Sequence, residues 1–144
     1  MKMENEPIIV ERTYDATVEK VWAAISDNKK MRKWYFDIPE FEAKPGFEFQ
    51  FLAGNDDKKF LHLCKITDVI ENKKIAYTWR YDGYEGNTLV TFELFDEGEK
   101  TKLKLTHEGL ETFPKIADFA KESFINGWNY IIGTALPEFL KKED

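Results

Sequence analysis

What the sequence lacks excludes several classes of protein. It has one cysteine, Cys64, so no disulfide can form within the chain. Its two serines, Ser26 and Ser123, do not lie in a nucleophile elbow. It also lacks a Walker loop, a dinucleotide fingerprint, a paired-cysteine zinc motif and a calcium loop. Phosphate and nicotinamide chemistry are therefore not expected, and we predict no cofactor.

Long apolar runs and an excess of basic charge are also missing. No stretch approaches the roughly 18 apolar residues of a membrane helix, and residues 1–10 have no apolar core of signal-peptide length. The net charge of -6 argues against nucleic-acid backbones and anionic membranes as partners, because both favour basic surfaces. We predict a cytoplasmic protein that neither binds nucleic acid nor inserts into a membrane.

The composition that is present is that of an ordinary globular protein. Of the 144 residues, 42% are hydrophobic and 33% are charged. A chain of this length buries roughly 70% of its unfolded surface, so it needs neither a disulfide nor a metal to fold. With no linker, repeat or low-complexity segment in the sequence, we predict a single domain over residues 1–144.

Alternating aromatic residues predict an antiparallel sheet with one apolar face. Phe47, Phe49 and Phe51 alternate with polar residues, and the segment 77–81 repeats this pattern. Turn signals at Pro45-Gly46, 54–57, 71–73, 82–87 and 96–98 separate the strands. We predict a meander of about seven strands over 8–14, 38–43, 46–53, 60–70, 74–81, 88–95 and 101–107.

Helical spacing appears after the first strand and again at the end of the chain. Thr17 is a predicted N-cap, and Asp27 is predicted to cap a second short helix that ends near Trp34. A long helix is predicted from Pro114 to about Lys141, with a kink at Pro137, which has no N–H to donate to Gly133. Its apolar stripe would cover the sheet and consists of Phe124, Trp128, Ile131, Ala135 and Phe139. The fold class is therefore α+β.

The covered face of the sheet carries polar groups among its rings, which suggests a ligand cavity between the sheet and the last helix. The predicted ligand-binding residues are Trp34, Phe49, His62, Cys64, Tyr77, Trp79, Tyr81, His107, Trp128 and Ile131. Two alternatives stay open. The rings can simply fill the core, since each contributes several kcal/mol on burial. Tyr77 and Tyr81 can hold a ligand oxygen or pair with each other.

Three of these residues have the side chains of a metal site. His62 and Cys64 are two apart on one strand, about 6–7 Å from each other, and His107 could join them. No carboxylate is aimed inward to complete the set, so we predict no metal and an inert, buried thiol. His107 can act as an acid or base at the mouth of the cavity, but we favour a structural hydrogen bond to the loop that follows it.

The segment 14–22, which runs from a strand into a helix containing Val21-Trp22, resembles the opening of START-like (SRPBCC) domains. Trp34-Tyr35, the segment 105–109 and Gly127-Trp128 resemble the branch similar to the activator of heat-shock protein 90 ATPase. The resemblance covers about residues 8–140. It implies a helix-grip fold, in which a curved antiparallel sheet wraps a long C-terminal helix over a deep cavity. The eukaryotic activator has an additional N-terminal domain for which 144 residues leave no room, so chaperone activation is not expected.

Three functions are compatible with this sequence. The leading hypothesis is a protein that binds a hydrophobic or amphipathic small molecule and has no catalytic residue. The alternative is a cyclase- or hydrolase-like enzyme that uses His107 or His62 as general acid or base. The third is a chaperone-associated adaptor using the outer face of the sheet, which reads as polar and charged rather than as an apolar patch.

Overall fold

The structure, a computed structural model, describes residues 6–54, 59–116 and 119–142. One antiparallel sheet has the strand order β1-β6-β5-β4-β3-β2. The strands are β1 (Ile8–Tyr14), β2 (Glu48–Gly54), β3 (Lys59–Ile70), β4 (Lys74–Tyr81), β5 (Thr88–Glu97) and β6 (Lys100–Glu108). The helices are α1 (Val18–Ser26), α2 (Asn28–Trp34), α3 (Lys121–Tyr130) and α4 (Leu136–Lys142), with a 3₁₀ turn at Leu110–Thr112. The curved sheet and the C-terminal helical segment confirm the predicted α+β, helix-grip fold.

The predicted facing of the central strands is confirmed. On β3 to β6 the residues at every second position are buried against the helical layer, and the charged positions between them, such as Lys65 and Arg80, are exposed. Alternation therefore identified the covered face of the sheet correctly. In the part of the chain that the structure describes, no helix is long and apolar enough to cross a membrane.

The sheet has six strands in the described residues, so the predicted strand over 38–43 is wrong. Ile38 and Phe41 are buried, which explains the strand-like pattern, but the backbone hydrogen bonds of this segment are local. Ile38 N–H donates to the Phe36 carbonyl, and the Ile38 carbonyl accepts from the Asn28 side-chain amide at 2.8 Å. The segment is therefore a loop that is hydrogen-bonded to the start of α2. Pro39 also disfavours a strand here, because proline has no N–H to donate to a neighbouring strand.

The two predicted N-caps are confirmed. The Thr17 hydroxyl accepts from the Lys20 N–H, and the Asp27 carboxylate accepts from the Lys30 N–H at 3.1 Å. The Pro45-Gly46 turn is also confirmed, with Gly46 at φ +90° and Phe47 N–H donating to the Lys44 carbonyl. The turn predicted at 54–57 includes residues outside those the structure describes.

The long C-terminal helix begins later than predicted, at Lys121 rather than just after Pro114. The segment between the 3₁₀ turn and α3 carries two buried rings, Phe113 and Phe119, whose centroids lie 5.3 Å apart. The Phe119 N–H donates to the Ile116 carbonyl at 3.1 Å, three residues earlier, which is a 3₁₀ and not an α-helical hydrogen bond.

The predicted effect of Pro137 takes the form of a π turn, Ile131–Ala135, between α3 and α4. Pro137 has no N–H for the carbonyl of Gly133 in an α-helical register or of Ile132 in a π register. Both carbonyls are satisfied from β1 instead: Tyr14 Oη–H donates to Ile132 at 2.5 Å, and Arg12 Nη1 donates to Gly133 at 3.1 Å. The first strand thus stabilises the break in the last helix.

We expect Tyr14→Phe to lower the free energy of unfolding by about 1–3 kcal/mol, because it leaves the buried Ile132 carbonyl without a donor. The same change made in a Pro137→Ala background should cost less, because the alanine restores a backbone N–H beside the two carbonyls. Urea unfolding of the four proteins in this double-mutant cycle measures the difference. Equal costs in both backgrounds would contradict the proposed link between Pro137 and Tyr14.

Candidate functional site

The structure contains a cavity of about 750 Å³ between β2–β4 and α3. Strand residues form its floor, α3 and the π turn form its roof, and Phe36 and Phe119 come from the loops before β2 and before α3. The lining residues are Phe36, Ala53, Gly54, Lys59, Phe60, His62, Trp79, Tyr81, Phe119, Ser123, Phe124, Gly127, Trp128 and Ile131. Most of these side chains are aromatic or aliphatic. Lys59 and Ser123 are exposed and lie at the rim.

Half of the residues predicted from the sequence lie at this cavity: His62, Trp79, Tyr81, Trp128 and Ile131. The other half lie elsewhere. Trp34 is buried beneath α1, where its Nε1–H donates to the Ala24 carbonyl at 2.8 Å. Phe49 and Cys64 border a separate groove that also includes Glu48 and Arg80. Tyr77 and His107 are buried behind the cavity wall, in the hydrogen bonds described next.

His107 is the centre of a buried chain of hydrogen bonds from α3 to β4. Trp128 Nε1–H can only donate, so the Nδ1 of His107, 3.0 Å away, accepts. Nε2 therefore carries the proton and donates to Thr88 Oγ1 at 2.8 Å. The Thr88 hydroxyl in turn donates to the Trp79 carbonyl at 2.6 Å. Each hydrogen in the chain has one possible position, and the imidazole is neutral.

Burial of His107, which is 0% exposed, lowers the pKa of its imidazole to about 3. Both ring nitrogens are already bonded, and the residue does not line the cavity. The arrangement agrees with the structural hydrogen bond favoured above, although its partners are Thr88 and Trp128 rather than the loop after β6. His107 is thus a neutral structural residue of this hydrogen-bond chain and does not face the cavity.

His62 lies at the cavity with its ring packed among aromatics. It stacks on Phe51 at a centroid distance of 4.4 Å and meets Trp79 and Tyr81 edge-on at 5.0 and 4.7 Å. Its Nδ1 is 3.0 Å from the Phe60 carbonyl, which can only accept, so Nδ1 carries the proton. Burial lowers the pKa of His62 to about 4, and the hydrogen bonds to backbone carbonyls only partly oppose this shift. The ring is neutral at neutral pH.

The two tyrosines of β4 do not pair with each other. Tyr81 Oη accepts a hydrogen bond from Trp79 Nε1 at 2.9 Å, and Tyr77 Oη shares a hydrogen with Tyr35 Oη at 2.9 Å. Burial raises the pKa of both Tyr77 and Tyr81, so both phenols stay protonated. Both tyrosines were predicted to bind a ligand from their positions on one face of the strand, but only Tyr81 lines the cavity.

Cys64 faces inward as alternation predicts, and burial raises the pKa of its thiol, which leaves it in the unreactive protonated form. Within residues 6–54, 59–116 and 119–142, no three histidine, cysteine or acidic side chains come together in a way that could hold a metal ion. The nitrogens of His107 are engaged elsewhere, so the three-ligand set considered from the sequence is not assembled.

Sequence reasoning missed several cavity residues. Phe36 and Phe119 lie in irregular loops, where no periodicity reports which way a side chain points. Phe60, on the same face of β3 as His62, was not among the predicted residues. Phe124 belongs to the predicted helical stripe and could have been found from it. Gly127 could not be found by searching for functional side chains, because it has none and contributes only open space to the cavity.

The two histidines should make the free energy of unfolding fall as pH falls below 6.5. Their pKa values are lowered from 6.5 to about 4 and about 3 in the folded protein, so over this interval the unfolded chain binds protons that the folded chain excludes. Each histidine contributes a slope of up to about 1.4 kcal/mol per pH unit. We expect His62→Phe to reduce the slope measured between pH 5 and 6 by about this amount.

Urea unfolding at pH 5, 5.5, 6 and 8 gives these slopes, and the value at pH 8 reports any cost of the substitution that does not depend on protonation. The only other histidine in the chain is His107, so its contribution remains in the variant. An identical slope in the two proteins would show that His62 titrates normally when folded.

Comparison with known proteins adds a family to this geometry. The family model for "Activator of Hsp90 ATPase homolog 1-like protein" matches residues 15–141. Among curated proteins, Uncharacterized protein C1711.08 of Schizosaccharomyces pombe is 28% identical over 100 residues, which cover 68% of this chain and 28% of that protein. The chain therefore spans less than a third of the length of this relative.

Solved structures show the same fold. Mll3558 from Rhizobium loti superposes with a TM-score of 0.80 at 22% identity, covering 93% of this chain and 96% of that chain. CalU16 from Micromonospora echinospora superposes with a TM-score of 0.71 at 24% identity, covering 95% and 77%. These structural similarities show the fold, and the match to the family model shows the family. This chain belongs to the Activator of Hsp90 ATPase homolog 1-like family of START-like (SRPBCC) domains.

Proposed function

We propose that this protein binds a hydrophobic or amphipathic small molecule in the cavity between the sheet and α3, and that it does so in the cytoplasm. The observation that carries this proposal is the cavity itself: its rings stand around an open space of about 750 Å³ instead of filling it. Ligand sites of drug-sized molecules occupy roughly 300–1,000 Å³ and are mostly apolar with a few polar groups. This cavity has that size and that composition.

The walls suit a ligand with flat apolar surfaces. Trp79 on the floor and Trp128 on the roof lie with ring centroids 5.4 Å apart, and Phe36 meets Trp79 edge-on at 6.0 Å. Near the loops, Phe119 stacks on Tyr81 at 4.7 Å. Rings held by their neighbours in this way offer fixed faces and edges to a bound ring and lose little side-chain entropy on binding. The polar groups of the lining are few and are concentrated on β3 and β4.

No observation favours catalysis as a second function. An efficient general acid or base has a pKa near the working pH. The pKa values of both histidines are lowered to about 4 and about 3, and His107 has no free nitrogen. The hydroxyls of Tyr81 and Ser123 lie at the cavity without a base hydrogen-bonded to them among the described residues. Binding without turnover is the simpler account of the site.

Gly127 offers a direct test, because it lies in the roof and a Cβ built on it meets no atom within 4 Å. Gly127 is exposed at the edge of the roof, and Phe124, Trp128 and Ile131 on the same side of the helix also line the cavity, so a large side chain at position 127 can turn into the open space. Replacing glycine within a helix also favours helix formation by roughly 0.5–1 kcal/mol. A large residue here should therefore fill the cavity without unfolding the protein.

We expect Gly127→Phe to weaken binding of N-phenyl-1-naphthylamine, a neutral apolar dye, at least about tenfold, because the new ring occupies the space the dye needs. Gly127→Ala is the matched control: it gives at least as large a gain in helix propensity with little loss of volume, and its affinity should stay within about twofold of the wild type. Dye fluorescence titration measures the dissociation constants, and thermal unfolding checks that both variants are folded.

Two results would count against the proposal. One is an absence of saturable, one-to-one dye binding by the wild-type protein. The other is equal affinity in the wild type and a folded Gly127→Phe variant, which would place the dye outside this cavity.

A further inference from the structure

The polar end of the cavity is built from two atoms with complementary and unused hydrogen-bonding capacity. The first is the hydroxyl of Tyr81. Its oxygen already accepts from Trp79 Nε1–H at 2.9 Å, an indole that can only donate. The hydrogen of Tyr81 Oη makes no hydrogen bond with the described residues, and the side chain lines the cavity. Tyr81 therefore presents a donor to whatever occupies the cavity.

The second atom is Nε2 of His62. Nδ1 uses its hydrogen on the Phe60 carbonyl, and the Phe51 carbonyl, which also raises the pKa of the ring, can accept but not donate. Nε2 of the neutral ring therefore keeps a lone pair. In the described part of the chain, every fully buried side-chain nitrogen or oxygen has a hydrogen-bond partner. Nε2 accepts no hydrogen bond from the described residues, so this atom is not fully buried. Because His62 is only 6% exposed and lines the cavity, we infer that Nε2 faces the cavity. His62 therefore presents an acceptor.

The two side chains are neighbours. His62 on β3 and Tyr81 on β4 are paired across the sheet, and their ring centroids are 4.7 Å apart, yet their polar atoms are not hydrogen-bonded to each other. A ligand group placed between the two polar atoms could therefore bond to both. The group that satisfies both must accept one hydrogen bond and donate another, which is what a hydroxyl does. An ether can only accept, and a carboxylate can only accept and is charged.

We propose that the cavity selects ligands carrying a neutral hydroxyl group, an alcohol or a phenol, which accepts from Tyr81 and donates to His62. The selection rests on the proposed binding function and specifies its polar contact. A carboxylate at the same place would put a negative charge against the His62 lone pair in an apolar site, which is costly. Lys59 is at the exposed rim and belongs to the solvent side of the lining, so it does not reverse this preference.

The test uses four probes of one shape that displace N-phenyl-1-naphthylamine: naphthalene, 2-naphthol, 2-methoxynaphthalene and 2-naphthoate at pH 7.5. We expect 2-naphthol to bind about tenfold more tightly than 2-methoxynaphthalene, because the ether lacks the hydrogen that His62 accepts. We expect 2-naphthoate to bind more weakly than 2-naphthol by a similar or larger factor.

Two variants separate the two contacts. His62→Phe keeps an aromatic ring but removes the acceptor, so the ratio of the 2-naphthol and 2-methoxynaphthalene affinities should fall to about one or two. Tyr81→Phe removes a donor that both probes use, so both should weaken while their ratio stays near ten. Tyr84→Phe, a tyrosine outside the lining, is the matched control and should leave the ratio unchanged. Thermal unfolding confirms that each variant is folded.

The outcomes distinguish this inference from the function on which it rests. If neither naphthalene nor the dye binds the wild type, the proposed binding function fails. If they bind but the hydroxyl and methoxy probes have equal affinity, or the carboxylate binds best, only the hydroxyl preference is overturned. A ratio that survives His62→Phe would likewise overturn it, because the acceptor would then be another atom.

Discussion

The hydrogen-bond chain from Trp128 through His107 and Thr88 to the carbonyl of Trp79 is the interaction on which the cavity depends. It is a buried polar connection between the roof on α3 and the floor on β4. Apolar contacts alone do not fix one arrangement of the roof on the floor, since apolar burial is not directional. The two tryptophan rings are in contact, with centroids 5.4 Å apart, and hydrogen bonds with one arrangement of hydrogens fix where on the sheet this contact is made.

The fold was largely predictable because periodicity reports it directly. The covered face of β3 to β6 follows from which positions carry lysine and arginine, and the caps at Thr17 and Asp27 follow from local hydrogen bonding. The errors at 38–43 and at the start of the last helix have a common cause. Ile38, Phe41 and Phe119 are buried, as residues of a strand or helix would be, but the backbone hydrogen bonds of Ile38 and Phe119 are not those of a β-ladder or an α-helix.

The candidate site was half predictable. Alternation places His62, Trp79 and Tyr81 on the inner face, but it also places Cys64 and Tyr77 there. It cannot show how far the cavity extends along a strand, because that depends on which part of the sheet α3 and the π turn cover. Side-chain partners decided the rest: Trp128 occupies the nitrogen of His107 that would otherwise be a candidate base, and Tyr35, in a loop, occupies the hydroxyl of Tyr77. Neither pairing has a signal in the spacing of residues.

The bonds from β1 to the π turn also bear on how the molecule folds. Tyr14 and Arg12 reach carbonyls that are 118 and 121 residues away along the chain. Closing a loop of that length is entropically expensive, and contacts of high sequence separation slow folding. The interrupted helix cannot complete its own hydrogen bonding by local means, because Pro137 removes the local donor. Its native geometry at the break is therefore acquired only when the first strand is in place, and this makes the two most distant parts of the fold a single cooperative unit.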